Sequence, residues 1–272
     1  MTTASTLAPP VRPHAVADAV TMLRRSLVHM VRYPGLSLFV LLVPVLFLLG
    51  FVYVFGGAIG AGLPGGAGDG RAAYLEYVVP GIVLMTIGGT AGGIAISIAM
   101  DMNEGIVARF RSMSISRGSV LAGHVLGNTI QGLLAVALVF GVALAIGFRP
   151  TTAPLEWLAA FGLVVLVAFA ISWLGVALGM AAKSVETASN WPLLVTFLPF
   201  LGSGFVPTAS MPGPLQWFAQ VQPFTPWIET LRGLLVGTPI GWSAVWSIGW
   251  AVVVSALGYV WALRLYNRKS VR

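Results

Sequence analysis

The 272-residue sequence contains no cysteine, which excludes disulfide staples, thiolate metal sites and thiol nucleophiles. Charge is almost as scarce. Asp, Glu, Lys and Arg make up 8% of the chain, where a soluble domain carries about a quarter. With 57% hydrophobic residues and a mean hydropathy of +0.91, the chain belongs in a bilayer. A spanning helix takes about 20 apolar residues, so the length accommodates roughly six spans and leaves little for a soluble domain.

Other absences narrow the function. No stretch fits G-x-x-x-x-G-K-[ST], so any nucleotide hydrolysis must come from another chain. The apolar runs lack a central carboxylate. Asp18, Asp69, Glu76, Asp101, Glu104, Glu156, Glu186 and Glu229 all fall at span ends or in loops, which argues against coupling to protons or sodium through a buried acid. The three histidines lack metal-ligand spacing. No internal repeat is visible, which disfavours inverted-repeat transporter architectures.

What is present reads as an all-α integral membrane protein. Residues 1–13 are Thr- and Pro-rich and read as a disordered cytoplasmic tail. Over residues 14–34, Val16, Val20, Leu23, Leu27 and Val31 share one face while Arg25, His29 and Arg32 share the other. This predicts an amphipathic interface helix, ended by Tyr33-Pro34-Gly35. A signal peptide is the competing reading, but both the charged lead and the apolar run are too long for one.

Six spans follow: Leu36–Phe55, Tyr77–Met100, Val120–Phe148, Leu155–Ala182, a short fifth over Trp191–Val206 interrupted by Pro192 and Pro199, and Trp242–Leu265. Gly56–Arg71 reads as a flexible loop too glycine-rich for helix, and Lys183–Asn190 as a short polar turn. Small residues four apart, at Gly88, Gly89, Gly92 and Gly93, at Gly123 and Gly127, and at Gly175 and Gly179, allow close helix approach. Residues 207–241 interleave prolines with Trp217, Phe218, Phe224 and Trp227, the pattern of a short re-entrant helical hairpin in the outer leaflet.

Charge sets the orientation. Of the 15 basic residues, all but Arg71, Arg149 and Arg232 lie on the side of the two termini. The asymmetry places both termini, including the tail 267–272, in the cytoplasm. It also accounts for the net charge of +7 without a nucleic-acid partner.

The largest charge cluster between spans is MDMNEGIVARFRSMSISR, Met100–Arg117. As a short helix it aligns Met102, Ile106, Phe110 and Met113 in one apolar stripe, with Glu104, Arg109 and Arg111 largely away from it. Such a segment can lie along a surface or press into a partner's groove, and the plainer reading is a solvated connector held inside by its arginines. His124, Asn128 and Gln131 fall on or near one helical face, spaced to bond a neighbouring helix or line a wet cavity. Ser203, in Gly202-Ser203-Gly204, could in principle join His124 as a nucleophile and base in a membrane enzyme. The two lie towards opposite leaflets, which argues against it.

Two stretches carry a family resemblance. DMNEGIVARFRSMSISRGSVLAGHVLGN resembles the acidic-Gly-Arg loop and following span of type-2 bacterial ABC exporter permeases, the group that includes daunorubicin-resistance-type efflux permeases. FLPFLGSGFVPTASMPGPLQWFAQVQPFTPWIETLRGLLVG is similar to that family's closing pattern of a Ser-Gly kink, Met-Pro, Pro-Phe-Thr and acidic-x-x-Arg-Gly-Leu-Leu. Ser114 departs from the proline often found after the loop methionine, which leaves the end of the short helix open.

The resemblance implies a transmembrane domain over 35–266 and a complex of two permease chains, identical or paralogous, with two ATPase chains. It puts ATP and Mg on the partner and no cofactor in this chain. It implies a cytoplasmic coupling helix in 101–118, with Asp101, Glu104, Ile106, Arg109, Phe110, Arg111 and Met113 meeting the ATPase. A dimer seam along the first, second and fifth spans would make Phe39, Phe47, Phe51, Phe197, Phe200 and Phe205 line a path for amphipathic or lipid-like cargo. Ordinary packing or lipid-facing aromatics are the alternative. Trp217, Trp227, Glu229 and Arg232 would form an external gate, or only anchor the outer rim. A non-transporting immunity or structural partner of an ATPase is the remaining alternative.

Overall fold

The structure is a computed structural model and describes residues 34–63, 67–103 and 117–268. The expected interface helix 14–34 falls, but for its last residue, outside the described residues. Glu104, Ile106, Arg109, Phe110, Arg111 and Met113 also lie outside them.

Among the described residues the regular structure is helical. Helix α1 (Pro34–Gly50) runs into a π-helical turn (Phe51–Phe55) and a short α2 (Gly56–Gly60). Then come α3 (Gly70–Asn103), α4 (Arg117–Ala145), α5 (Pro154–Ala181) and α6 (Val185–Phe197). Two 3-10 turns (Leu198–Leu201 and Thr208–Ser210) lead to α7 (Gly213–Val221), α8 (Phe224–Val236) and α9 (Ser243–Arg268).

Helix α3 is the hub. It packs against α1, α2, α4, α5, α6 and α8, and 72% of its apolar window is buried within the protein. The corresponding share of α9, held by α5 and α8, is 17%, so most of its surface faces outward. Glycine makes the tight contacts. A Cβ on Gly179 would lie 2.6 Å from the Ala95 carbonyl oxygen, and one on Gly175 would collide with the Ile94 side chain. Gly88 faces Val195 and Thr196 of α6, so the glycine-lined face of α3 receives the fifth apolar segment.

Several boundaries differ from expectation. Gly56–Arg71 is not loop throughout, because helix persists to Gly60 and resumes at Gly70. The glycines allow α2 to lie directly on the start of α3, where a Cβ on Gly60 would strike the Gly70 carbonyl oxygen. The Asp69 carboxylate accepts from the Arg71 and Ala72 N–H groups (3.0 and 3.2 Å), satisfying donors at the start of α3. Most of Lys183–Asn190 is helical rather than turn, since the Ser184 hydroxyl caps α6 by accepting from the Thr187 N–H.

Five helices among the described residues are long and apolar enough to cross a membrane. The expected fifth of six, Trp191–Val206, differs. Its helix has 13 residues, about 20 Å at 1.5 Å per residue, and gives way to a 3-10 turn at Pro199. The chain beyond it folds as the expected pair of short helices, α7 and α8. Gly237, in the left-handed region at φ 78°, ends α8.

Candidate functional site

Aromatic side chains gather where α1 meets the end of α6. Phe47, Phe51 and Phe55 recur every four residues through the π-helical turn, and Phe51 lies 4.7 Å from Phe205 and 6.0 Å from Phe200 between ring centroids. Phe200 and Phe205 stack in parallel at 4.1 Å, with Phe47 and Phe197 each 5.9 Å from Phe200. Five of the six expected path residues therefore meet. The sixth, Phe39, lies on α1. Phe55, 5.5 Å from Phe51, is an addition that its fourfold spacing could have announced.

Phe205 is buried, whereas Phe47, Phe55 and Phe197 present open faces. Leu46, Phe47, Gly50, Phe51, Val54 and Phe55 line a shallow apolar groove along this edge. The wall offers π faces and no charge, so it can hold flat or greasy molecules by area and ring contact.

The four expected gate residues sit in different surroundings. Trp217 on α7 is exposed, while Trp227 is fully buried and donates its indole N–H to the Ser247 carbonyl of α9 at 2.9 Å. Glu229 accepts from the Ser243 hydroxyl at 3.0 Å. Arg232 is not a loop residue but lies on α8, where it is 9% exposed. Its Nη2 donates to the Ser203 carbonyl (2.7 Å) and the Tyr77 carbonyl (3.1 Å), Nε also donates to Tyr77, and the guanidinium lies 3.9 Å from the Tyr77 ring centroid. One cation thus ties α8 to α3 and to the kink after α6. Thr225 and Gln222 reinforce that kink, with Ser203 N–H donating to Thr225.

At the other end, His124 and Asn128 bond neighbouring helices, one of the two roles their spacing allowed. His124 Nε2 is 3.2 Å from Asp101 Oδ2 on α3. Asn128 donates to Thr90 of α3 (3.2 Å) and Ser172 of α5 (2.8 Å), joining three spans in a buried polar hub. Gln131 is half-buried on the same helix. Ser203 sits beside Arg232 and Thr225, and His124 beside Asp101, so no nucleophile–base pair forms. No cluster of metal-ligating groups is present among the described residues.

The sequence matches the profile of the family described as ABC-2 type transporter over residues 18–236. The chain belongs to the ABC-2 type transporter family. It is 29% identical over 266 residues to a daunorubicin resistance ABC transporter permease protein, DrrB1, of Streptomyces coeruleorubidus, covering 96% of this chain and 90% of that one. It is 27% identical over 196 residues to a probable doxorubicin resistance ABC transporter permease protein, DrrC, of Mycobacterium tuberculosis, covering 68% of this chain and 70% of that one. This ABC-2 chain is accordingly a multi-pass membrane permease, not an enzyme in itself, and the family implies an ABC ATPase partner. Within the ABC-2 framework Asp101 is the one expected coupling residue among the described residues. Its carboxylate turns toward His124 in its own bundle.

Proposed function

We propose that this ABC-2 permease is the membrane path of an ATP-driven exporter that moves an amphipathic drug, antibiotic or lipid-like molecule from the cytoplasm or inner leaflet by alternating access. Two permease chains, identical or paralogous, work with two ATPase chains, which carry ATP and Mg. The complex sits in a bacterial inner membrane with both termini of this chain cytoplasmic. Helix α6 and its 3-10 turn supply the fifth of six crossings, and the α7–α8 pair re-enters the outer leaflet before the sixth.

The observation that supports the cargo class is the open aromatic wall of Phe47, Phe51, Phe55 and Phe200. The relatives' names refer to daunorubicin and doxorubicin resistance, and a flat aromatic drug fits such a wall. Phe51→Ala and Phe200→Ala are each expected to raise the half-maximal drug concentration for stimulated ATP hydrolysis about 2–10-fold, the worth of one aromatic contact. Unchanged concentration dependence in both variants would assign the wall to packing alone.

The segment 101–118 serves as the coupling helix, its stripe of Ile106, Phe110 and Met113 entering a cleft on the ATPase while Arg109 and Arg111 set orientation. Reversing both arginines to Glu is expected to leave membrane insertion intact and to cut transport per ATP at least about 10-fold, a loss of about 1.4 kcal/mol of coupling. Reconstituted permease–ATPase vesicles measure it. Unchanged coupling would remove the docking role.

A further inference from the structure

One side-chain contact joins the inner ends of the two helices that bracket residues 104–116. Asp101 lies in the last turn of α3 and His124 in the second turn of α4. The His124 imidazole and the Asp101 carboxylate meet at 3.2 Å with side chains only 10% and 12% exposed. Around them Leu121 and Val125 of α4 share an apolar cluster with Ile94 and Ile98 of α3 and with Trp173 and Val176 of α5. One turn further in, Asn128 bonds both Thr90 and Ser172. The apolar belt between the two polar contacts keeps water out, and in that setting each polar contact resists separation more strongly than at a surface.

We infer that His124 and Asp101 form a clamp that makes the inner ends of α3 and α4 move as one body, with His124 a positioning residue for the coupling of ATP hydrolysis to transport. The inference rests on the proposal that 101–118 receives the ATPase's thrust. A push on a loop between two helices has two outcomes. It splays the helices, and the displacement is lost locally, or it shifts both together. Only the second carries the stroke along α3, which packs directly on α1 and α6 and so reaches the aromatic wall. A closed pair at the foot of both helices removes the first outcome.

The clamp is tested in the reconstituted permease–ATPase complex. The cargo-free readout is the ATP-dependent change in hydrogen exchange of α1 and α6, and daunorubicin transport per ATP is the second. His124→Phe keeps a ring of similar bulk without a donor. It is expected to reduce the ATP-dependent change at least 5-fold while the complex still assembles and hydrolyses ATP. His124→Gln, whose amide reaches toward Asp101, is expected to keep at least half. The chain contains no cysteine, so Asp101→Cys with His124→Cys provides the permease's sole thiol pair. A short bifunctional thiosulfonate then replaces the side-chain contact with a covalent bridge. With free thiols this variant is expected to behave like His124→Phe, to recover when bridged, and to lose the gain on adding reductant.

A wild-type response from His124→Phe, equal impairment in His124→Gln, or a bridge that stalls the stroke would each overturn the clamp. If reversal of Arg109 and Arg111 uncouples the complex but His124→Phe does not, the clamp fails alone. If that reversal leaves coupling unchanged, the docking proposal beneath it fails.

Discussion

Arg232→Ala is expected to cost about 2–3 kcal/mol, seen as a lower thermal midpoint in detergent and as faster proteolysis of the α7–α8 hairpin, with transport falling in step. The size of the effect follows from what the guanidinium holds. It donates to the carbonyls of Tyr77 and Ser203 from a site only 9% exposed, where solvent cannot readily take over those bonds. The ring of Tyr77 at 3.9 Å adds a desolvated cation–π contact. Arg232→Lys is expected to recover less than half. An ammonium is a point donor and cannot fork between two carbonyls on different elements. A lysine variant as stable as the wild type would show that charge alone suffices, and an alanine variant with an unshifted midpoint would remove the latch altogether.

Gly179→Leu should abolish accumulation of the folded permease. A Cβ at this position lies 2.6 Å from the Ala95 carbonyl oxygen and 2.8 Å from its Cα, and helix backbone cannot yield as a side chain does. Overpacking costs about 1–3 kcal/mol where side chains repack, and more where two backbones must separate. Gly93→Ala is the control on the facing helix. Nothing lies within 4 Å of where its added methyl would sit, so its effect should stay within about 0.5 kcal/mol. Size-exclusion profiles of both variants from the same membranes decide the matter. Equal recovery would mean that α3 and α5 do not approach this closely.

Much of this was legible because a bilayer imposes simple rules. Long apolar runs become spans, and glycines four apart become contact faces, as Gly175 and Gly179 show. The prolines and tryptophans of 207–241 mark short helices, and the spacing of His124 and Asn128 places both against α3. The failures share a cause. Gly57 and Gly60 read as helix breakers in water, yet in an apolar setting the backbone must satisfy its own hydrogen bonds, and helix is the cheapest way. Arg232 reads as a loop charge because counting assigns residues to sides and not to depths. The π-helical turn at Phe51–Phe55 leaves no compositional trace, so the fourfold phenylalanine spacing was readable while its backbone was not.

Helix α9 has consequences beyond its packing. Its outward surface is greasy along its length, with Trp242 and Trp246 exposed near one end and Trp261 toward the other. A helix with so large an outward apolar face is expected to answer to bilayer thickness by tilting, moving with α5, against which Gly258 packs closely. Trp227 and Thr230 are both bonded to Ser247, so a tilt would be handed to α8 and thence, through Arg232, to the first turns of α3. Turnover is therefore expected to differ between short-chain and long-chain vesicles, and equal turnover in both would mean that tilt of α9 is not felt by the rest of the bundle.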